Sequence, residues 1–288
     1  MNFIKEVFSH FFNSNTFQKG ASLAYYAVFS LLPMMVIVIS VLGLFFGAQA
    51  VSGEIYTQLK GALGKEAAIQ IQELIKNQHA NHNSIITTII GFVTLAFSAS
   101  GMFSQIHNAF NSIWKIKAKP KNNFFKYLLN HFTSFVILIV LFFIILMSTS
   151  INSFLTKHAP NLSDSYQLVY LYEHLLSFAI ISIAFVIMFK FLGDAIIRWN
   201  VALWGGLFTS FLFMFGKVAI GMYIGHSPIS STFGSASVLA LLMLWVYYTS
   251  QIIFLGASFI EVLSNRLGYE IVPNNDAVKI ENVEVKYE

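Results

Sequence analysis

The sequence predicts an all-α, polytopic membrane protein: six transmembrane helices, preceded by an amphipathic helix lying in the membrane interface. Three observations predict it. Of 288 residues, 56% are apolar and only 10% charged, whereas a soluble domain is about 45–50% apolar and about 25% charged. Six stretches are long and apolar enough to cross a bilayer, which takes roughly 20 mostly apolar residues. The 17 Lys and Arg residues fall mostly on one side once those stretches alternate in direction. So few charges cannot cover a soluble globule of this size, which excludes a soluble single-domain enzyme. The apolar content excludes a disordered chain, and the absence of cysteine excludes a disulfide-stapled secreted domain.

The elements follow in order. Phe3, Ile4, Val7, Phe8, Phe11 and Phe12 recur at helical spacing with Lys5, Glu6, Ser9 and His10 between them. This is an interfacial amphipathic helix without a cleavage-like site, not a signal peptide. The first span, about 20–47, is too long for a straight crossing. It holds Pro33, which frees the carbonyl of Phe29 and predicts a kink after Tyr25, Tyr26 and Ser30. The second span covers about 84–103 and leads into Gln105, His107, Asn108 and Asn111, two polar stripes leaving one helix end. The third covers about 128–150, the fourth 168–189, the fifth 199–223 and the sixth 237–263.

Between the first two spans, 48–83 reads as an extracytoplasmic insert of two short amphipathic helices broken at Gly61–Gly64. The transmembrane domain thus occupies 1–270 and a polar cytoplasmic tail 271–288. Alternation of Val278, Ile280, Val283, Val285 and Tyr287 with charges permits a short strand there; a polar, mobile terminus is the plainer reading. Small residues mark close helix contacts: Ala21, Ala24, Ala27 and Ser30 form a stripe, and Gly43–Gly47 and Gly221–Gly225 are G-x-x-x-G pairs. They serve packing within one protomer or a homo-oligomer.

With the amino terminus in the cytoplasm, the inside receives Lys5, Lys19, Lys115, Lys117, Lys119, Lys121, Lys126, Lys190, Arg198, Arg266, Lys279 and Lys286. The outside receives Lys60, Lys65, Lys76 and Lys157, with Lys217 left inside the fifth span. The positive-inside rule is met with both termini cytoplasmic. It accounts for the formal charge of +4 without a nucleic-acid partner. The run Lys115–Lys126 predicts contact with anionic lipid headgroups.

No catalytic or metal constellation is present. The histidines are scattered, and there is no H-E-x-x-H, cysteine pair, G-x-S-x-G elbow or phosphate-binding glycine loop. No cofactor is implied. Candidates for function are polar groups at membrane depth, which are costly there. Lys217 either snorkels to the outer interface or faces an anion in a cavity. Tyr247 and Gln251, one helical turn apart in the polar middle of the sixth span, either line a cavity or bond between helices. Gln105 and Asn108, near the inner interface, either bond between helices or are further candidates for a substrate path.

The chain resembles the YihY/BrkB family of bacterial inner-membrane proteins. The likeness rests on Ala21-Ser-Leu-Ala-Tyr-Tyr-Ala-Val-Phe-Ser-Leu-Leu-Pro33, on Asn108-Ala-Phe-Asn111 with Trp114, and on Trp204-Gly-Gly. It continues through Phe233-Gly-Ser235, Leu244-Trp-Val-Tyr247 and Leu255-Gly-Ala257. Two departures stand out: Phe233-Gly234 where the family has Tyr-Gly, and Ser258 where it often has an acid, with Glu261 one turn later. Glu261 is the candidate substitute for that acid and joins Gln105 and Asn108 as a further candidate for a substrate path. The resemblance implies a six-helix inner-membrane fold with an amphipathic amino-terminal helix. It also carries a ribonuclease label, against which the missing metal-binding motif argues.

These readings combine into a transporter or lipid flippase moving an amphipathic or anionic substrate between the first, fifth and sixth spans. Tyr25, Ser30, Pro33, Lys217, Tyr247 and Gln251 are its path residues. The alternative is a non-transporting structural protein of the envelope, whose polar groups only staple helices.

Overall fold

The computed structural model describes residues 2–29, 101–119, 166–226, 237–275 and 277–280, with isolated helical positions between 53 and 73. Helix α1 is Phe3–Asn13. The described parts of α2 and α3 are 16–29 and 101–113. Strand β1 is Ile116–Ala118, α4 is Tyr166–Phe191, β2 is Ala195–Ile196 and α5 is Trp199–His226. Helix α6, Ser237–Arg266, is followed by β3, Val272–Pro273, and β4, Ala277–Lys279. The expected first three spans fall largely outside the described residues, as do the 48–83 insert and most of its features.

Three helices among the described residues are long and apolar enough to cross a membrane: His174–Phe191 in α4, Trp199–Ile220 in α5 and Leu239–Arg266 in α6. They coincide with the expected fourth, fifth and sixth spans. At ~1.5 Å rise per residue, the α5 segment covers ~33 Å, the thickness of a hydrocarbon core. In each, 33% of the apolar 18-residue stretch is buried inside the protein. The remainder presents side chains such as Ile183, Phe211 (65% exposed) and Phe215 (73%), which suits lipid and not water. Trp199 and Trp204 stand exposed at the start of α5, where an aromatic belt belongs.

The chain forms two compact units. One comprises Met1–Thr16, Ile106–Met214 and Ile252–Glu288; the other comprises Phe17–Gln105 and Phe215–Gln251. The core of the first holds Phe110, Ile113, Trp114, Phe189, Leu192, Phe254 and Ile260, all fully buried. Phe110 packs on Trp114 and Phe189 with ring centres 5.0 and 5.5 Å apart. Glycine lets the helices of this core approach closely. A Cβ on Gly206 would lie 3.0 Å from both the Ser182 carbonyl oxygen and the Val186 nitrogen, so α5 and α4 meet backbone to backbone. A Cβ on Gly256 would lie 1.9 Å from Thr209 Oγ1, joining α6 to α5. This is the small-residue packing of membrane helices.

Helix α1 docks by half of its apolar surface. Val7 and Phe11 are buried, while Ile4, Phe8 and Phe12 are exposed. Phe3 meets Phe259 of α6 edge-on at 5.3 Å, and Glu6 accepts from Arg266 at 2.8 Å. The helix stops where Ser14 Oγ donates to the His10 carbonyl at 2.7 Å and Asn15 turns left-handed at φ 52°, a conformation asparagine tolerates.

The segment after α6 departs from the mobile-tail reading. Gly268 at φ 71° and the Tyr269 N–H bonded to the Ser264 carbonyl at 2.9 Å end α6 in a Schellman turn. Ile271 is then buried, β3 pairs antiparallel with β2, and β4 pairs antiparallel with β1 in register Lys117↔Val278. The short strand that the alternation permits therefore forms at 277–279. These two ribbons add strands to a fold expected to be purely helical, and residues 271–280 belong to the first unit.

In the second unit, α2 buries Gly20, Leu23, Ala24 and Ala27. Gly20 lies against the side chains of Ser250 and Gln251, and Gly101 of α3 lies under the ring of Tyr26. Ala24 and Ala27 of the expected small-residue stripe pack inward, whereas Ala21 is exposed.

Candidate functional site

The first unit gathers its polar chemistry at the end where α3 and α4 finish and α5 begins. Asp194, in the α4–α5 connection, is its hub. Asn111 of α3 donates from Nδ2 to Asp194 Oδ2 at 2.8 Å and accepts from the Asp194 backbone N–H at 2.9 Å. His107 Nε2 lies 3.3 Å from the same carboxylate oxygen, and Asn274 Nδ2 donates to Oδ1 at 3.3 Å. The Asn274 N–H also donates to the Asp194 carbonyl at 2.8 Å. Asn111 Nδ2 stands 3.4 Å from His107 Nδ1. The amide orientation of Asn111 is set by Asp194 on both sides, so its Nδ2 is the atom beside the ring, while Nε2 of the ring faces the carboxylate. Burial acts to raise the Asp194 pKa. The hydrogen bond and charge of His107 and the amides of Asn111 and Asn274 outweigh it and hold the carboxyl below its ordinary value.

Trp114 closes the same end from inside. Its ring lies against Gly193, and its indole N–H donates to the Ala257 carbonyl at 3.1 Å. Outward from Asn111 opens a cleft of about 390 Å³, lined by Asn108, Ser112, Lys115, Lys117 and Ile280. Lys115 adopts φ 55°, outside the usual range for a side-chain-bearing residue, and its carbonyl accepts from the Ile280 N–H at 2.8 Å. Lys190 and Arg198 stand at this end too, over the rings of Trp199 at 5.3 Å and Tyr269 at 3.9 Å.

The expected path residues are distributed as follows. Ser30 and Pro33 lie outside the described residues, as do Lys121 and Lys126. In the second unit, Tyr25 is exposed beside Tyr26 and Phe29, Lys217 is exposed, and Gln105 and Tyr247 are half-buried. Gln251 is packed against Gly20 and donates to Ser250 Oγ at 3.3 Å. In the first unit, Asn108 is exposed on the cleft, and Glu261 is buried. Glu261 Oε1 accepts from Asn265 at 3.3 Å, while Oε2, and the Oγ of Ser258 one turn earlier, are buried without a hydrogen-bond partner among the described residues. Lys115 and Lys279 lie within electrostatic reach of Glu261.

Sequence reasoning passes over Asp194 and Asn274. The available signal is a lone acid within the apolar run Phe189–Ile197 between two spans, a placement that calls for partners from elsewhere.

Comparison with known proteins identifies the family. The family described as virulence factor BrkB matches residues 7–281. A UPF0761 membrane protein of Saccharophagus degradans is 25% identical over 275 residues, covering 93% of this chain and 60% of the relative. One from Pseudomonas paraeruginosa is 26% identical over 249 residues, covering 85% and 59%. One from a Psychrobacter species is 22% identical over 283 residues, covering 97% and 51%. The chain thus spans between half and three-fifths of the length of these relatives. No solved structure matches it. Its apolar helices, the motif residues Asn111, Trp114 and Ala257 joined at one end, and the match over nearly its whole length agree: this integral membrane protein belongs to the BrkB family.

Proposed function

We propose that the protein is a transporter or lipid flippase that moves an amphipathic or anionic substrate across the bacterial inner membrane. In this reading its lysine-rich end and both termini face the cytoplasm. The observation that carries it is a pair of buried polar atoms in α6, Ser258 Oγ and Glu261 Oε2, which have no hydrogen-bond partner among the described residues. Other buried hydroxyls of the spans are satisfied within their own helices: Ser182 by the Phe178 carbonyl, Thr209 by Gly205, Ser210 by Gly206 and Ser250 by Tyr247. A group that only staples a helix finds its partner in the protein. An acidic oxygen and a hydroxyl without a partner among the described residues suit a hydroxyl or amine donor on a substrate that comes and goes.

The test is reconstitution in proteoliposomes, scoring translocation of fluorescent phospholipids and efflux of small organic anions. Rates above protein-free vesicles that fall about tenfold or more in Glu261→Gln and Ser258→Ala would support the reading; an effect of ~1.4 kcal/mol on the barrier is tenfold. Rates equal to protein-free vesicles would favour the structural alternative. That alternative draws on the tight contacts of Gly20 with Gln251 and of Gly256 with Thr209.

A further inference from the structure

We propose that the cleft between the end of α3 and β4 binds a phosphate ester, presented as the headgroup of an anionic membrane lipid. Its polar lining residues are Lys115, Lys117, Ser112, Asn108 and Asn111, of which Asn111 has its amide committed to Asp194. Among the described residues, no carboxylate lines it. The nearby acid, Asp194, has its oxygens turned to His107, Asn111 and Asn274. Glu261, within electrostatic reach of Lys115, is buried in α6 and is not part of the lining. An anion entering the cleft therefore meets donors and positive charge, the arrangement that recognises phosphate.

The setting selects a lipid over a free ion. The cleft opens at the end of the spans that carries Lys190, Arg198 and the exposed Trp199, residue types that mark the level of headgroups. Val278 and Ile280 are exposed on β4 and just beyond it, offering apolar contact to the glycerol and upper acyl carbons. The volume of about 390 Å³ lies low in the range of small-molecule sites, ~300–1,000 Å³. It takes a headgroup and leaves the chains in the bilayer.

Lys115 is the residue built for this role. A left-handed turn at φ 55° is one that glycine adopts without cost and lysine does not. Its carbonyl is tied to Ile280, so the turn and the cleft wall are one piece, and the side chain supplies what glycine would lack.

The test uses the full chain in neutral detergent, titrated with short-chain phosphatidylglycerol, phosphatidylcholine or inorganic phosphate, with bound ligand counted by native mass spectrometry. Phosphatidylglycerol is expected to bind and to weaken about fivefold for each ammonium removed in Lys115→Gly and Lys117→Ala. Phosphatidylcholine, whose choline cation meets the same lysines, is expected to bind more weakly and without that dependence. Lys115→Gly should keep the thermal unfolding midpoint of the parent, which separates loss of binding from loss of fold. Inorganic phosphate binding as tightly as phosphatidylglycerol, with the same lysine dependence, would overturn the lipid as source. Unchanged phosphatidylglycerol binding in the double variant would overturn the site. The proposal rests on the transport reading only for the fate of the bound lipid. Lysine-dependent binding without translocation overturns transport alone, and translocation without lysine-dependent binding overturns the cleft alone.

Discussion

Asn111 and Asp194 hold each other twice. The side-chain amide of one donates to the carboxylate of the other at 2.8 Å, and its oxygen accepts the backbone N–H at 2.9 Å. Two residues 83 apart in sequence are thereby locked in register. Hydrogen bonds to charged groups contribute about 1.5–3 kcal/mol, so Asn111→Ala and Asp194→Ala should each lower unfolding stability by that order. Because both remove the bond from Asn111 Nδ2 to Asp194 Oδ2, the double variant should cost clearly less than the sum of the two. Chemical denaturation in detergent measures the cycle, and full additivity would mean that the pair is not coupled.

The Asp194 network should be sensitive to acid. Its folded carboxyl lies below the ordinary value, so its stabilisation is complete above the unfolded pKa of about 3.9. It is lost as pH falls from there through the folded value. The thermal midpoint of the parent should thus exceed that of Asp194→Asn at pH 6 and converge on it below pH ~4. A constant difference down to pH 3 would contradict this.

His10 adds a second pH dependence. Burial, then the charge of Lys115, pushes its pKa down, with Glu6 opposing, and its Nδ1 is buried without a hydrogen-bond partner among the described residues. A histidine with a lowered folded pKa favours folding above its unfolded value of about 6.5 and loses that contribution as pH falls below it. His10→Gln should flatten the midpoint between pH 7 and pH 5. An unchanged slope there would place the sensitivity elsewhere.

The glycines make graded predictions. At Gly206 a methyl group meets backbone atoms of α4, and at Gly205 it meets the Cγ1 and Cδ1 of Ile260. Backbone cannot rotate away, whereas an isoleucine tip can. Gly206→Ala should therefore cost about 1–3 kcal/mol and exceed Gly205→Ala. Melting temperatures of the two variants decide the order.

Trp114 carries both volume and a hydrogen bond. Trp114→Phe keeps most of the ring and removes the donor to Ala257, a loss of about 1–3 kcal/mol for the carbonyl partner left behind. Trp114→Ala opens a cavity in a fully buried position and should cost about 3–5 kcal/mol. Equal losses would mean that the indole N–H contributes everything and the packing nothing.

Long apolar runs make α4, α5 and α6 readable from sequence to within about three residues at either end. Composition alone limits where such runs can lie. Helix α1 is equally readable from its spacing. Which of its two stripes packs on protein is not, because Phe3, Val7 and Phe11 are chemically the same as Ile4, Phe8 and Phe12 until Phe259 is placed beside one of them. The ribbons β1–β4 and β2–β3 are two or three residues long, too short for a period to show. The Asp194 hub draws on positions 80 and 83 residues away, and no local pattern in one sequence encodes such pairing. Asn108 and Glu261 stand out as polar residues near span ends; what they face depends on neighbours from other helices.

The ribbon formed by β4 sets an order of events. Its partner β1 follows α3, and β2 follows α4. Both are synthesised well before residues 271–280 that complete them. While α5 and α6 are being made and inserted, the carboxylate of Asp194 waits without Asn274, and Lys115 waits without Ile280. The lysine-rich end thus remains open until α6 has emerged. Closing it reports that the helices beneath are in place, so a ribosome stalled before residue 271 should leave that end accessible to protease.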